Sequence, residues 1–215
     1  MRGLSVRATT VILALAFGGC VPDFAKNNQS GIIMEIAGIR SAAGSPGAPV
    51  LSDIGLPAVN DDVIVTVNVF RKNTTVTSTS PLEHTYLDRY EVRFFRSDGR
   101  NTEGVDVPFR ITGPLGNLRF HTPTDVGELQ QDVTITLVRH QAKLEPPLRN
   151  LAGNFPDNQA GSAPQLPGTG IITAIAEVTI FAQSLNDKGA LTAKGQVQVT
   201  FADFPNSEAA PTPTP

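Results

Sequence analysis

From Asp62 to Phe70 the chain alternates. Val63, Val65, Val67 and Val69 fall on one side of an extended backbone, and Thr66 and Asn68 fall on the other. Successive side chains of a β-strand point to opposite faces, so this run predicts a half-buried strand and fits no helix. The same period recurs in Arg89–Arg96, with Tyr90, Val92 and Phe94 on one face and Glu91 and Arg93 on the other. It recurs again in Asp132–His140, where Val133, Ile135 and Leu137 oppose Thr134 and Thr136. Ile171–Gln183 and Leu191–Phe204 flank Asn186-Asp187-Lys188-Gly189, whose residue types supply the positive φ of a tight hairpin turn. Gly31–Ile39 is apolar at both parities and reads as a strand buried on both faces or a short helix, with strand preferred. Pro108–Thr112 and Asn117–His121 read as two short strands divided by a turn at Gly113-Pro114-Leu115-Gly116.

About eight strands and no long helix follow from these patterns. The 19 glycines and 17 prolines are spread between apolar segments and form no repeat, which suits many short strands joined by turns. The prediction is an all-β sandwich in a single domain, roughly residues 31–204. Two connections are long for structureless loops, Ser41–Asn60 and Gln141–Gly170, and such loops are commonly functional. Residues 205–215, ending Ala209–Pro215 (AAPTPTP), read as a disordered proline-rich tail.

The N-terminus carries a different signal. Arg2 and Arg7 precede an apolar run through Val11–Phe17, which ends in Gly18-Gly19-Cys20. From Val11 to Val21 the apolar or small stretch is 11 residues, short of the roughly 20 needed to span a bilayer. Positive start, short apolar middle and small residues before a cut make a secretory signal. With Cys20 after two glycines the segment resembles the signal of bacterial lipoproteins, although Phe17 stands where that family usually has leucine. The resemblance implies residues 1–19 as signal peptide, cleavage between Gly19 and Cys20, and a diacylglycerol thioether on Cys20. It further implies a tether over residues 20–30. Cys20 is the only cysteine, so no disulfide framework competes for it. Val21 is not the aspartate that retains enterobacterial lipoproteins in the inner membrane, so the resemblance points to the outer membrane of the cell envelope.

The strand pattern over residues 31–204 resembles the immunoglobulin-like and fibronectin type III-like sandwiches, an Ig-like Greek-key arrangement of about 7–8 strands. The paired cysteines and tryptophan of antibody domains are absent. The resemblance implies a module that presents loops and edge strands to partners.

Specific chemistry is sparse. Asp98, Asn101, Glu103 and Asp106 place four oxygen side chains in one short loop, a calcium candidate, but their spacing is not that of an EF-hand and Arg100 sits among them. A solvated β-turn at Ser97-Asp98-Gly99 is the plainer expectation. Asp53, Asp61 and Asp62 form a weaker candidate, with strand initiation as the simpler role. His84, His121 and His140 have no zinc-ligand spacing. No Gly-x-Ser-x-Gly elbow accompanies them, and no phosphate-cradling loop is present. Phe109, Phe120, Phe155 and Phe204 lie near segment ends, where aromatics can line a glycan or peptide groove. Asn28-Gln29-Ser30 and Asn73-Thr74-Thr75 match glycosylation acceptors, fortuitously in a bacterial lipoprotein.

Removal of residues 1–19 takes two of the 17 basic residues and leaves a net charge of −5 against 20 acids. No basic cluster points to nucleic acid. The expectation is therefore a lipid-anchored envelope protein whose sandwich is a non-catalytic binding or structural module, with a protein partner in the envelope and no cofactor beyond its lipid. The alternative is a glycan- or small-ligand-binding lipoprotein, with a hydrolase behind it. The first reading makes the two long loops the interface, the second gathers Phe109 and Phe155 in one groove, and the third brings His121 or His140 to a serine and a carboxylate.

Overall fold

A computed structural model describes residues 32–71, 85–120, 129–151, 170–184 and 190–204. Cys20 with the signal and tether, His84, His121, Phe155, the turn at 186–189, both Asn-x-Ser/Thr sequences and the tail lie outside these residues. Eight strands make up the described chain: β1 (Ile32–Ser41), β2 (Val50–Asp53), β3 (Asp61–Arg71), β4 (Thr85–Phe95), β5 (Ile111–Phe120), β6 (Leu129–Val138), β7 (Ile172–Ser184) and β8 (Ala190–Ala202). They form two sheets, β1-β3-β6 and β2-β8-β7-β4-β5. The chain crosses from one sheet to the other at β1→β2, β2→β3, β3→β4, β5→β6 and β6→β7, and stays within one sheet at β4→β5 and β7→β8. The result is the expected all-β sandwich.

The alternation sets the core. Val63, Val65, Val67 and Val69 of β3 are fully buried, and with Val133, Ile135 and Leu137 of β6 they meet the inner residues of β4, β7 and β8. Phe94 and Phe201 pack edge to face at 5.9 Å. The central strand β7 turns Ala174, Ala176 and Ala182 inward, which lets larger residues opposite fill the gap. On the β1 side the sheets approach so closely that a Cβ on Gly195 would lie 2.7 Å from Ile36.

Three sequence expectations are corrected. Gly31–Ile39 is not buried on both faces: β1 is an edge strand with Ile33 exposed, and the register shift between Ile36 and Gly38 interrupts its alternation. The segment through Gly113-Pro114-Leu115-Gly116 is not a turn between two strands. It lies within β5, whose pairing with β4 jumps from Pro114↔Arg89 to Leu118↔Leu87, so residues 115–117 bulge opposite Asp88. An outer strand tolerates proline because one side of its backbone needs no donor. Ser41–Asn60 is not structureless either: it contains β2, which pairs in parallel with β8 from Val50↔Val199 to Asp53↔Ala202.

The strand directions give the sandwich two distinct ends. Ile32, Arg71, Thr85, Phe120, Leu129, Ser184 and Ala190 lie at the end where the N-terminal segment joins, here the near end. The connections β2–β3, β4–β5 and β6–β7, with the exit at Phe204, lie at the far end.

Candidate functional site

The far end is built around a buried polar cluster. Ser52 is the last inward residue of β2, and Asp61 opens β3. β6 stops at Val138; Asn60 accepts the His140 backbone N–H at 2.8 Å and so starts a single helical turn, α1 (His140–Lys143). This turn directs Ala142 and Lys143 inward, and Leu148 and Leu151 of a 3₁₀ turn (Leu148–Leu151) follow them into the core after the cis Pro146–Pro147 bond. Lys143 is 1 % exposed, and its Nζ lies 2.8 Å from Asp61 Oδ1. The Ser52 hydroxyl, fully buried, donates to Asp61 Oδ2 at 2.5 Å.

The order of these groups decides their chemistry. The carboxylate stands between the amine and the hydroxyl, and Ser52 gives its hydrogen to Asp61 rather than to Lys143. Neither the serine nor the lysine is open to a substrate. The cluster clamps the β6–β7 connection onto the starts and ends of two strands in opposite sheets. A buried charge survives only when paired and hydrogen-bonded.

The β4–β5 connection holds the calcium candidates, and each has a partner within the chain. Asp98 accepts from Arg96 (Nη2 at 2.7 Å) and Arg100 (Nη2 at 2.9 Å). These two hydrogen bonds, Arg96 first, hold the Asp98 carboxyl well below the usual carboxylate range. Asn101 accepts the Arg96 backbone N–H at 2.7 Å, Glu103 takes Arg110 at 3.1 Å, and Asp106 accepts the Thr102 N–H at 3.2 Å. Gly99 has a φ of 80° and closes the expected turn on Arg96. Gly104, at φ 76°, lies under the Phe109 ring, where a Cβ would come within 2.3 Å. The weaker acidic set is likewise spoken for: Asp53 accepts the Gly55 and Phe204 N–H groups and Asp62 takes the Thr136 hydroxyl. Among the described residues no three His, Cys, Asp or Glu side chains gather at one point.

The remaining candidates disperse. His140 turns its ring to Asn60, 3.1 Å away. Phe109 is exposed at the far end and Phe204 is half-buried there, while the backbone of Phe120 ends β5 at the near end.

Two surface features were not legible in the sequence. Of nine exposed large apolar side chains among the described residues, Leu51, Leu56, Val59, Val105, Phe109, Leu144 and Ile171 all belong to the far end. On the outer face of the three-stranded sheet, a groove of about 290 Å³ is lined by Ala37, Gly38, Arg40, Thr66, Gln130 and Asp132 beside Pro46. Asp132 is fixed there by the Thr66 hydroxyl at 2.7 Å and by Arg40 at 3.1 Å. Lys143 gave no sequence signal, because its partner Asp61 is 82 positions away. Compared with models of known protein families and with curated proteins, the chain matches none.

Proposed function

We propose that this chain is a lipid-anchored cell-envelope protein whose β-sandwich is a non-catalytic binding or structural module, with its far end turned to a protein partner. The observation that carries the reading is the polarity of the molecule. The segment bearing Cys20 joins at the near end, while seven exposed apolar side chains lie at the opposite one. Exposed apolar surface costs free energy in water and commonly marks contact with another protein. The strand order adds support: β1-β3-β6 facing β4-β7-β8 follows the A, B, E and C, F, G strands of immunoglobulin-type sandwiches, which work through loops and edges. Fold alone does not assign a role, so the partner is argued from the surface.

The test has two parts. Cys20→Ala is expected to release the protein from the membrane fraction and leave an uncleaved precursor; normal retention of that variant overturns the anchor. Photo-crosslinkers placed at Val59 and Val105 in the native envelope are expected to trap one protein, which a crosslinker at Arg93 on the outer sheet face does not. Equal yields at all three positions overturn the far-end interface.

A second reading, glycan binding, draws on the outer-face groove. The Arg40–Asp132 pair leaves it charge-balanced, with fixed donors and acceptors suited to neutral hydroxyl groups. A loss of oligosaccharide binding in Asp132→Ala, with far-end crosslinking unchanged, would favour it.

A further inference from the structure

Asp98-Gly99 is the only Asp-Gly in the chain, and the chain has no Asn-Gly. An aspartyl-glycyl bond is prone to rearrange, because glycine has no side chain to hinder its own amide nitrogen from attacking the carboxyl before it. In that reaction the Gly99 nitrogen bonds to Asp98 Cγ, and the amide proton and a carboxyl hydroxyl leave as water. A second water then reopens the five-membered imide. Opening at the side-chain carbonyl restores aspartate; opening at the backbone carbonyl leaves isoaspartate, whose main chain runs through Cβ and Cγ. The neutral acid is the reactive form, since hydroxyl leaves from a carboxyl far more readily than oxide leaves from a carboxylate. The fold cannot avoid the hazard by replacing the glycine: Gly99 has a φ of 80°, where a side chain is strained even though the space around it is open.

The surroundings of the turn oppose each requirement of this reaction. Arg96 grips both carboxylate oxygens, with Nε 3.2 Å from Oδ1 and Nη2 2.7 Å from Oδ2. Arg100 brings Nε and Nη2 to Oδ2 at 3.0 and 2.9 Å, and its backbone N–H donates to Oδ1 at 3.2 Å. All of these bonds favour the carboxylate over the neutral acid. The nucleophile is engaged as well: the Gly99 N–H donates to the Arg96 carbonyl at 3.3 Å, and Asn101 Oδ1 fixes the Arg96 N–H at 2.7 Å. We infer that Arg96 and Arg100 guard the Asp98–Gly99 bond against imide formation and so keep this turn as ordinary aspartate. The inference depends neither on the lipid anchor nor on the partner. It gives the two arginines a role that stability does not, because an exposed pair within one turn is worth little to the fold. The guarded turn shares the β4–β5 connection with Val105 and Phe109, so an added main-chain carbon would fall within the exposed apolar end.

The experiment ages the full chain in mild detergent at about pH 5, just above the ordinary carboxylate range, and maps isoaspartate at position 98 by peptide mass spectrometry. Circular dichroism follows folding in parallel. The folded wild type is expected to gain isoaspartate at least about tenfold more slowly than the same chain in urea, since a carboxyl held below its usual range loses its protonated form by that factor or more. The double variant Arg96→Gln, Arg100→Gln is expected to recover most of the rate seen in urea while still folded. Its rate is expected to rise as the pH is lowered toward about 4, whereas the wild type stays slow over the same range. Arg100 is 64 % exposed, so Arg100→Gln alone keeps the fold and is expected at an intermediate rate. Equal rates in the folded and denatured wild type overturn the inference. So does a folded double variant as slow as the wild type, which would assign the protection to the turn backbone alone. If the double variant does not fold, Arg100→Gln decides, and a rate unchanged from the wild type overturns the inference.

Discussion

Two carboxylates of this protein hold basic groups at nearly the same distance and differ in almost everything else. Asp61 meets Lys143 at 2.8 Å, and Asp98 meets Arg100 at 2.9 Å and Arg96 at 2.7 Å. By contact geometry Asp98 is the better served, with two guanidinium forks and a depressed pKa. By consequence Asp61 is the more important. Lys143 is almost wholly buried and its pair joins the two sheets with the β6–β7 connection, whereas Asp98, 40 % exposed, ties residues two positions apart in one turn. Solvent and salt screen an exposed pair, while a buried charge that loses its partner has no water to replace it. Burial and chain separation, rather than bond length, decide what an ion pair is worth to the fold.

The largest effect that can break this comparison is Lys143→Ala. It leaves the Asp61 carboxylate, only 17 % exposed, without its cation and empties the space of a buried side chain, and a loss of up to about 3–5 kcal/mol is expected in denaturant unfolding. A loss below about 1 kcal/mol would place Lys143 with ordinary surface residues. The double variant Lys143→Met, Asp61→Leu removes both charges at similar volume and is expected to recover most of the loss. Ser52→Ala comes next. It removes one hydrogen bond to the carboxylate and keeps the ion pair, at an expected cost of about 1–2 kcal/mol by the same measurement.

The smallest effect belongs to the exposed pair. Asp98→Asn is expected to leave the thermal midpoint unchanged, and a clear drop would show that the turn anchors more than itself. The pH dependence sharpens the contrast. A folded-state pKa below the unfolded value gives a contribution that is present above the ordinary carboxylate pKa of about 4 and lost as the pH falls through the folded value. Asp98 therefore stays ionised at pH 3, observable as an unshifted side-chain carboxyl resonance in carbon NMR. Titration near pH 4 would show that Arg96 and Arg100 do not hold it in solution.

The strands that sequence reading found are those whose two faces see different surroundings. β3, β4, β6 and the β7–β8 hairpin each set one face on the core and one toward solvent, so valine and threonine, or phenylalanine and arginine, alternate visibly. β2 was hidden because four residues in a segment rich in Gly, Pro and Ala carry almost no pattern, and its partner β8 lies near the other end of the chain. β5 was misread because Gly-Pro-Leu-Gly is a turn by residue type and becomes a bulged outer strand only with β4 beside it. At the candidate sites, the turn at Ser97–Gly99 was legible because glycine with positive φ has a local cause. The clamp of Ser52, Asp61 and Lys143 was not, since no local rule links a serine and an aspartate on consecutive strands to a lysine 82 positions away.

The sequence by itself determined the all-β class, the inner face of the alternating strands and the C-terminal pairing of β7 with β8, because side-chain direction in a strand is a local property with a period of two. Tertiary structure alone decided which strands became edges, which end gathered the exposed apolar side chains, and that a lysine in a long connection would be buried against Asp61. Those outcomes depend on which segments meet across the sandwich, and an isolated stretch of chain carries no record of its distant neighbours.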